Sequence, residues 1–479
     1  MSETNFSTKS QVSQRYVLRV KTALNAPFRA YFPYEVWSLP KVYAFRFTWV
    51  FLLYFIVPVD WKFYQYLFSI HWVHLHFYDV LVLAKYQPEF VSLTRADGSP
   101  VLGWSSYSNW LIGFLVAVIG AILWSIIDKK KRTEHVVLYQ WLRVLVRYRL
   151  AVALFAFGFY KLFHLQLPYP PLSNLLTNYG DFYAWKIYFQ TTAISPAYES
   201  FLGVVEILAG VLLLYRKTVV FAAGLVIGFL SNIAVVNGFY EVGEASFSAL
   251  LVVFAIFLFI HDLPRLYQLL IREKYTLSNK IIPVYSTGKW KFIKKVVLFL
   301  VLILIGTLGL TAFHDGVQES YKLPKNPGLS DAFGQYDVKE FIWNGDTIPY
   351  SKTDSNRWQD VVFEKWSTLS IKVNRPVWID RTSGEKYHEK DIDRNYELAG
   401  QAGRHYFYYD IDDSNHRLLL QNKSRGKRNE KFSLSFSRPD KQTILLKGVN
   451  EKQDSLQVVL KRSHKGHLMY EGRRTPVQL

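Results

Sequence analysis

VVLFLVLILIGTLGLTAF, Val296–Phe313, carries no charge, and the chain changes character immediately after it. At 1.5 Å per residue such a run extends about 27 Å, close to the ~30 Å hydrocarbon core of a bilayer. Lys322 to Leu329 follows with two prolines and one glycine, a linker composition. From Tyr336 onward the sequence reads as short β-rich runs. The stretch is therefore the last of a series of membrane spans, and a separate β domain begins beyond it.

Working back from it, six more apolar stretches reach spanning length or come near it: Val42–Val59, Ser108–Ile127, Tyr139–His164, Pro196–Tyr215, Thr218–Phe239 and Ala245–Ile260. Cations alternate between the connecting segments. Lys9, Arg15, Arg19, Lys21 and Arg29 precede the first span, Lys129 to Arg132 follow the second, Arg216 and Lys217 follow the fourth, and Arg265 to Lys295 separates the sixth from the seventh. The loops His71–Pro100, Gln166–Ser195 and Glu241–Glu244 are poorer in cations. Because positive loops stay in the cytoplasm, the N-terminus is expected inside and the β domain outside. Six segments result: a cytoplasmic N-terminal stretch (1–41), two spans (42–138), a four-helix membrane core (139–264), a cytoplasmic loop with the seventh span (265–313), a linker (314–335) and an extracytoplasmic β domain (336–479).

Within that domain the expected strands are Asp337–Trp343, Ser367–Val373, His405–Ile411, Leu418–Leu420, Phe432–Phe436, Thr443–Leu446 and Leu456–Leu460, with turns at Asn344-Gly345 and Asp412-Asp413. Short strands at this spacing suggest a small antiparallel barrel or a sandwich. A closed barrel could enclose an apolar ligand. Tyr406 to Tyr409 reads as strand packing, and the basic run Lys423 to Lys431 as a solvated hairpin turn.

The formal charge of +19 does not point to nucleic acid. Gly316 to Leu479 holds 28 Lys+Arg against 22 Asp+Glu, which leaves +13 in the membrane half, where it orients helices. Cysteine is absent, which removes disulfides, thiol exchange and Cys-held clusters within the chain. Met1 to Arg29 is polar and lacks the central apolar run of a cleavable signal. There is no Walker loop, G-x-S-x-G, H-E-x-x-H or dinucleotide fingerprint.

Charges inside the spans carry the remaining information. Arg149 and Lys161 lie about 18 Å apart along one helix, so if Arg149 marks the inner surface, Lys161 lies within the lipid. Glu206 sits ten residues from Pro196 and ten from Arg216 and reaches a similar depth. An intramembrane charge costs at least about 2.5 kcal/mol, so the two are expected to pair. The plainer reading is an ion pair that fixes helix register; the functional one is a ligand, proton or quinone site. Asn232 is expected to bond across helices or orient a ligand, with Asn237 nearer the outer end, and Gly203, Gly210, Gly224 and Gly228 to permit close packing. Arg46 is expected to pair with a neighbouring helix or snorkel. His71, His74 and His76, followed by Asp79, could be imagined as metal ligands. An interfacial segment with Trp72, Phe77 and Tyr78 at the headgroups is the simpler reading.

Three segments, RYRLAVALFAFGFYKLFHLQLPYPP (Arg147–Pro171), AISPAYESFLGVVEILAGVLLLYRKT (Ala193–Thr218) and NGFYEVGEASFSALL (Asn237–Leu251), resemble the bacterial DoxX-like family of membrane proteins. Gly158, Lys161 and Glu206 fall on its glycine-then-lysine and glutamate positions. The resemblance covers about a quarter of the chain, and the whole layout looks like a longer variant with an external, broadly lipocalin-like β tail. It implies an inner-membrane protein in a redox-linked role, since some relatives are subunits of a thiosulfate:quinone oxidoreductase and the wider superfamily is thought to include vitamin K-dependent carboxylases. The absence of cysteine removes any covalent sulfur relay.

The fold expected is thus an α-helical transmembrane bundle of about seven spans with a DoxX-like four-helix core, plus a C-terminal antiparallel β domain. The function expected is binding of a quinone or other lipid-like ligand near Lys161 and Glu206, with Asn232 orienting it and a redox or envelope protein as partner. The competing expectation is a non-enzymatic envelope protein whose β domain binds a partner or an apolar ligand. A transporter comes third, because no inverted repeat is evident.

Overall fold

The computed structural model describes residues 28–30, 37–93, 107–128, 135–276, 283–285, 288–317, 321–377, 387–398, 400 and 403–466. Lys9, Arg15, Arg19, Lys21 and Lys129 to Arg132 lie outside the described residues.

Each expected span is a helix. They are α1 (Leu39–Ile56), α4 (Ser108–Ile127), α5 (Val136–Leu162), α8 (Pro196–Leu214), α9 (Val219–Phe239), α10 (Ala245–Ile260) and α12 (Gly288–Val317). Shorter helices fill the connections: α2 (Trp61–Ser69), α3 (Phe77–Ala84), α6 (Leu172–Leu175), α7 (Ala184–Ala193) and α11 (Leu263–Leu270). Among the described residues five helices are long and apolar enough to cross a membrane, namely α1 with its continuation α2, then α4, α8, α9 and the Lys295–Gly316 part of α12. A sixth arises only if α10 and α11, bent by 62° at their junction, are taken together. Helix α5 is long enough, but Arg143, Arg147, Arg149 and Lys161 make it too polar to qualify by composition.

Exposed apolar side chains ring the bundle, among them Leu111, Ile126, Phe201, Phe221, Phe299 and Leu310. Helices apolar on all sides suit a lipid surround, not water. Inside, small residues and aliphatics from α5, α8, α9 and α10 form the core, including Leu150, Ala153, Ala209, Ala222 and Leu250.

Two internal arginines are consumed by structure. Arg46 Nη2 lies 2.6 Å from Asp128 Oδ2, and its Nη1 donates to Ser125 Oγ at 2.8 Å, tying α1 to the end of α4. Arg149 is tied to backbone inside the bundle. Its guanidinium donates to the carbonyls of Ala84 and Tyr86 at 2.6 and 2.7 Å, satisfying the last turn of α3 within the bundle.

Strand β1 (Phe28–Ala30) pairs with β2 (Pro283–Tyr285), so the N-terminal segment and the loop before α12 share one end of the bundle. The barrel occupies the other end, where the cation-poor loops also lie. Its strands are β3 (Gly334–Trp343), β4 (Asp346–Thr347), β5 (Asp360–Phe363), β6 (Thr368–Lys372), β7 (Arg404–Asp412), β8 (Arg417–Asn422), β9 (Lys431–Ser437), β10 (Thr443–Asn450) and β11 (Ser455–Arg462). Neighbours in sequence pair antiparallel, β11 returns to β3, and the two-residue β4 adds a hairpin to β3. This is a closed eight-stranded barrel; a sandwich is excluded. The short β5 escapes sequence reading because only Asp360–Phe363, set between polar stretches, forms it.

Asn344 and Gly345, both at positive φ, form the tight turn anticipated for that dipeptide. The barrel interior is filled by side chains such as Phe341, Trp358, Phe363, Phe407, Tyr409 and Phe432. Eight strands leave just enough room for that packing, so the apolar ligand cavity anticipated inside the barrel does not appear among the described residues.

Candidate functional site

The site starts from two glycines. A Cβ on Gly203 would lie 2.6 Å from Gly158 O and 2.7 Å from Leu162 N, and one on Gly158 would lie 2.6 Å from Ile207 Cγ1. Helices α5 and α8 therefore cross with backbones nearly touching. One turn further on, Lys161 Nζ donates to Glu206 Oε1 and Oε2 at 2.8 and 3.0 Å. Both residues are buried, and the ammonium also lies 5.4 Å from the centre of the Phe157 ring. The pairing expected from sequence is present.

Two turns towards the barrel on the same face of α8 stands Glu199, fully buried. Its Oε1 accepts the Leu167 amide at 3.1 Å, whereas Oε2 has no partner among the described residues. The neighbouring Gln166 carbonyl accepts from Lys322 Nζ at 2.8 Å, which brings the start of the linker against the membrane site. Lys322 and Lys186 both face the ring of Tyr396, at 5.3 and 3.3 Å. Lys186 Nζ also donates to the Tyr396 carbonyl. Full burial, and then the nearby Lys322 charge, push the Lys186 amine well below the ordinary lysine range.

Next comes the seam between bundle and barrel. Glu397 Oε1 accepts from Trp366 Nε1 at 2.6 Å and Thr368 Oγ1 at 2.7 Å, and its Oε2 accepts from Lys423 Nζ at 2.6 Å. Burial pulls the Lys423 amine down, while Glu397 opposes that shift. Asn174 donates to the Glu397 carbonyl at 2.6 Å. Glu364 reaches from the barrel to the first turn of α6, accepting the Leu172 and Ser173 amides at 3.2 and 2.8 Å. Burial raises its carboxyl above the usual range, against those hydrogen bonds. The barrel is thus clamped to the loop between α5 and α8 by desolvated polar groups.

Other expectations need correction. Asn232 lies on the exposed face of α9, away from the buried pair; it is Asn237 that bonds across helices, donating to Ser248 Oγ at 3.2 Å. Lys423 is no solvated turn residue, since it is 1% exposed. The linker is packed: Gly328 N donates to Lys365 O and Ser367 N to Asn326 O, both at 2.9 Å. Phe77 is buried against Tyr160 instead of lying at a headgroup, while Trp72 is exposed. His76 stacks on Tyr387 with ring centres 4.4 Å apart, and its Nδ1 lies 3.5 Å from Asp315 Oδ1. No group of three His, Cys, Asp or Glu suited to a metal occurs among the described residues, so His71, His74 and His76 form no such site there.

Glu199, Lys186, Glu364 and Glu397 were missed by sequence reading. Glu199 alone had a signal, since it shares the buried face of α8 with Glu206 at a seven-residue spacing. No family model, curated protein or solved structure matches the chain, so the likeness to DoxX-like proteins rests on the three quoted segments.

Proposed function

We propose that this is a DoxX-like protein of the bacterial inner membrane that binds a quinone or another lipid-like molecule where α5 and α8 cross. Its N-terminus lies in the cytoplasm and its barrel in the periplasm, in line with the alternating cations and with the barrel's position opposite the β1–β2 ribbon. One observation carries the reading: a buried Lys161–Glu206 pair with the unpartnered Oε2 of Glu199 two turns away. Buried carboxylate oxygens without donors are costly, and a ligand hydroxyl would supply one. Lys161 would donate to a ring oxygen, Glu206 would keep Lys161 charged, and Glu199 would accept the proton of a reduced ligand. A redox partner would exchange electrons with such a ligand, making the chain a subunit of a quinone-linked oxidoreductase.

Extracting lipids from the purified protein tests this. Quinone or a single apolar species should be enriched in the wild type and lost in Lys161→Met and in Glu199→Gln. Equal content in all three would refute the reading.

A second reading has its own support. The outer face of β3, β5 and β6 bounds an open groove of about 890 Å³, lined by Asp337, Lys339, Lys352, Asp360 and Lys372. Such a polar lining suits an envelope protein partner better than an apolar ligand. If cellular function follows substitutions in this groove and ignores Lys161, the bundle is an anchor.

A further inference from the structure

At the end of the bundle away from the barrel, Arg143 and Arg147 on α5 lie where Asp262 and Arg265 of the α10–α11 junction come up against that helix. Arg143 and Arg147 stand one turn apart on α5, and Arg265 lies one turn past Asp262, at the start of α11. Arg143 Nη2 is 3.8 Å from Asp262 Oδ2, a loose pair. Arg143 Nη1, Arg147 Nε and Arg265 Nε are buried without a hydrogen-bond acceptor among the described residues. Arg143 and Arg147 rest against the Tyr139 and Tyr148 rings at 5.9 and 4.9 Å, and Tyr139 OH lies 3.1 Å from His261 Nδ1. Of these arginines only Arg143 brings its guanidinium within 4 Å of the Asp262 carboxylate, so among the described residues the guanidinium groups here lack a matching set of anionic acceptors. Desolvated guanidinium N–H groups without acceptors cost free energy that a polyoxygen anion would relieve.

Helix α11 shows where such an anion comes from. The 62° bend turns it away from the axis of α10, and Leu263, Tyr267, Leu270 and Ile271 are exposed along it and just beyond. A short amphipathic helix at this end of an apolar bundle lies in the membrane interface. Lipid phosphates occupy that level, and arginine forks match them in a bidentate way. We propose that Arg143, Arg147 and Arg265 bind the phosphate of an anionic phospholipid headgroup, with α11 laid over the adjoining acyl chains. Asp262 sets the limit on how many anions the site takes.

Unfolding temperature in lipid nanodiscs tests the proposal in three arms: phosphatidylcholine alone, phosphatidylcholine with a minority of phosphatidylglycerol, and phosphatidylcholine with inorganic phosphate. Phosphatidylglycerol should raise the wild-type value by several degrees through preferential binding to the folded state, and inorganic phosphate should not. The increment should vanish in the Arg143→Gln, Arg147→Gln double variant and shrink in Arg265→Gln, which lies outside the bundle core and leaves its packing intact. An increment kept in Arg265→Gln and in the double variant would overturn the assignment. So would no increment in the wild type, or an equal one from inorganic phosphate.

Discussion

Two buried lysine–glutamate pairs in this molecule share their chemistry and differ in what surrounds them. At the seam, Glu397 accepts from Trp366, Thr368 and Lys423, so both carboxylate oxygens are in use. In the bundle, both Glu206 oxygens accept from the Lys161 ammonium, and among the described residues Glu199 nearby keeps one oxygen without a donor. A pair saturated by its own fold serves as scaffold. We propose a ligand beside the bundle pair because Glu199, two turns from Glu206, keeps one buried oxygen without a donor among the described residues.

The largest effect should come from breaking the saturated pair. Glu397→Gln leaves the Lys423 ammonium buried without its counter-charge and should lower barrel stability by about 3–5 kcal/mol, read from denaturant unfolding. A loss below about 1 kcal/mol would show that the seam is not the scaffold described.

Removing both members of each pair sharpens the contrast. Lys161→Met with Glu206→Met should be neutral or stabilising by ~1–4 kcal/mol while abolishing ligand retention. Lys423→Met with Glu397→Met orphans the Trp366 and Thr368 donors and should cost ~2–6 kcal/mol, at ~1–3 kcal/mol for each buried unsatisfied group. Equal behaviour of the two doubles would erase the distinction.

Gly203→Ala tests the crossing that makes the bundle pair possible. The added methyl meets backbone atoms at 2.6 and 2.7 Å, so the helices must part, at about 1–3 kcal/mol. Loss of ligand with little further unfolding is the expected result.

The smallest effect concerns pH. Burial lowers the Lys186 amine in the docked seam and release restores it, so between the lowered and the ordinary value the undocked state binds more protons. Docking therefore strengthens as pH rises towards the ordinary lysine value and weakens as pH falls below it, by ~1.4 kcal/mol per unit, until the depressed docked value is reached. Lys423 acts in the same direction. The raised Glu364 acts in the opposite one, contributing stability at acid pH that is lost as pH climbs through its docked value. Comparing wild type with Lys186→Met isolates the first term. Amide exchange at Leu172 and Ser173 should lose part of its pH slope in the variant, and an unchanged slope would contradict the lowered lysine.

Much of the scaffold was legible because it is local. Apolar runs located six of the expected helices within a few residues and the last one eight residues late at its start, and alternation with turn dipeptides located seven of the eight barrel strands. Glu206 could be placed by counting from Pro196 and Arg216, whereas the depth of Lys161 was counted from Arg149, which the structure puts inside the bundle, so the pairing holds without that premise. The seam could not be read this way. Glu364 meets Leu172 across 192 residues and Lys186 meets Tyr396 across 210, and no periodicity encodes contacts of that separation. Asn232 and Asn237 illustrate the finer limit. Both are amides on α9, and which one turns inward depends on where α10 packs.

The most direct measurement is photolabelling of the membrane-embedded wild-type protein with an azido-quinone, followed by peptide mapping. Adducts should concentrate on peptides spanning Phe157–Lys161 and Glu199–Glu206, compete with unlabelled quinone and disappear in Lys161→Met. Adducts spread over the exposed apolar faces and insensitive to competitor would contradict the account.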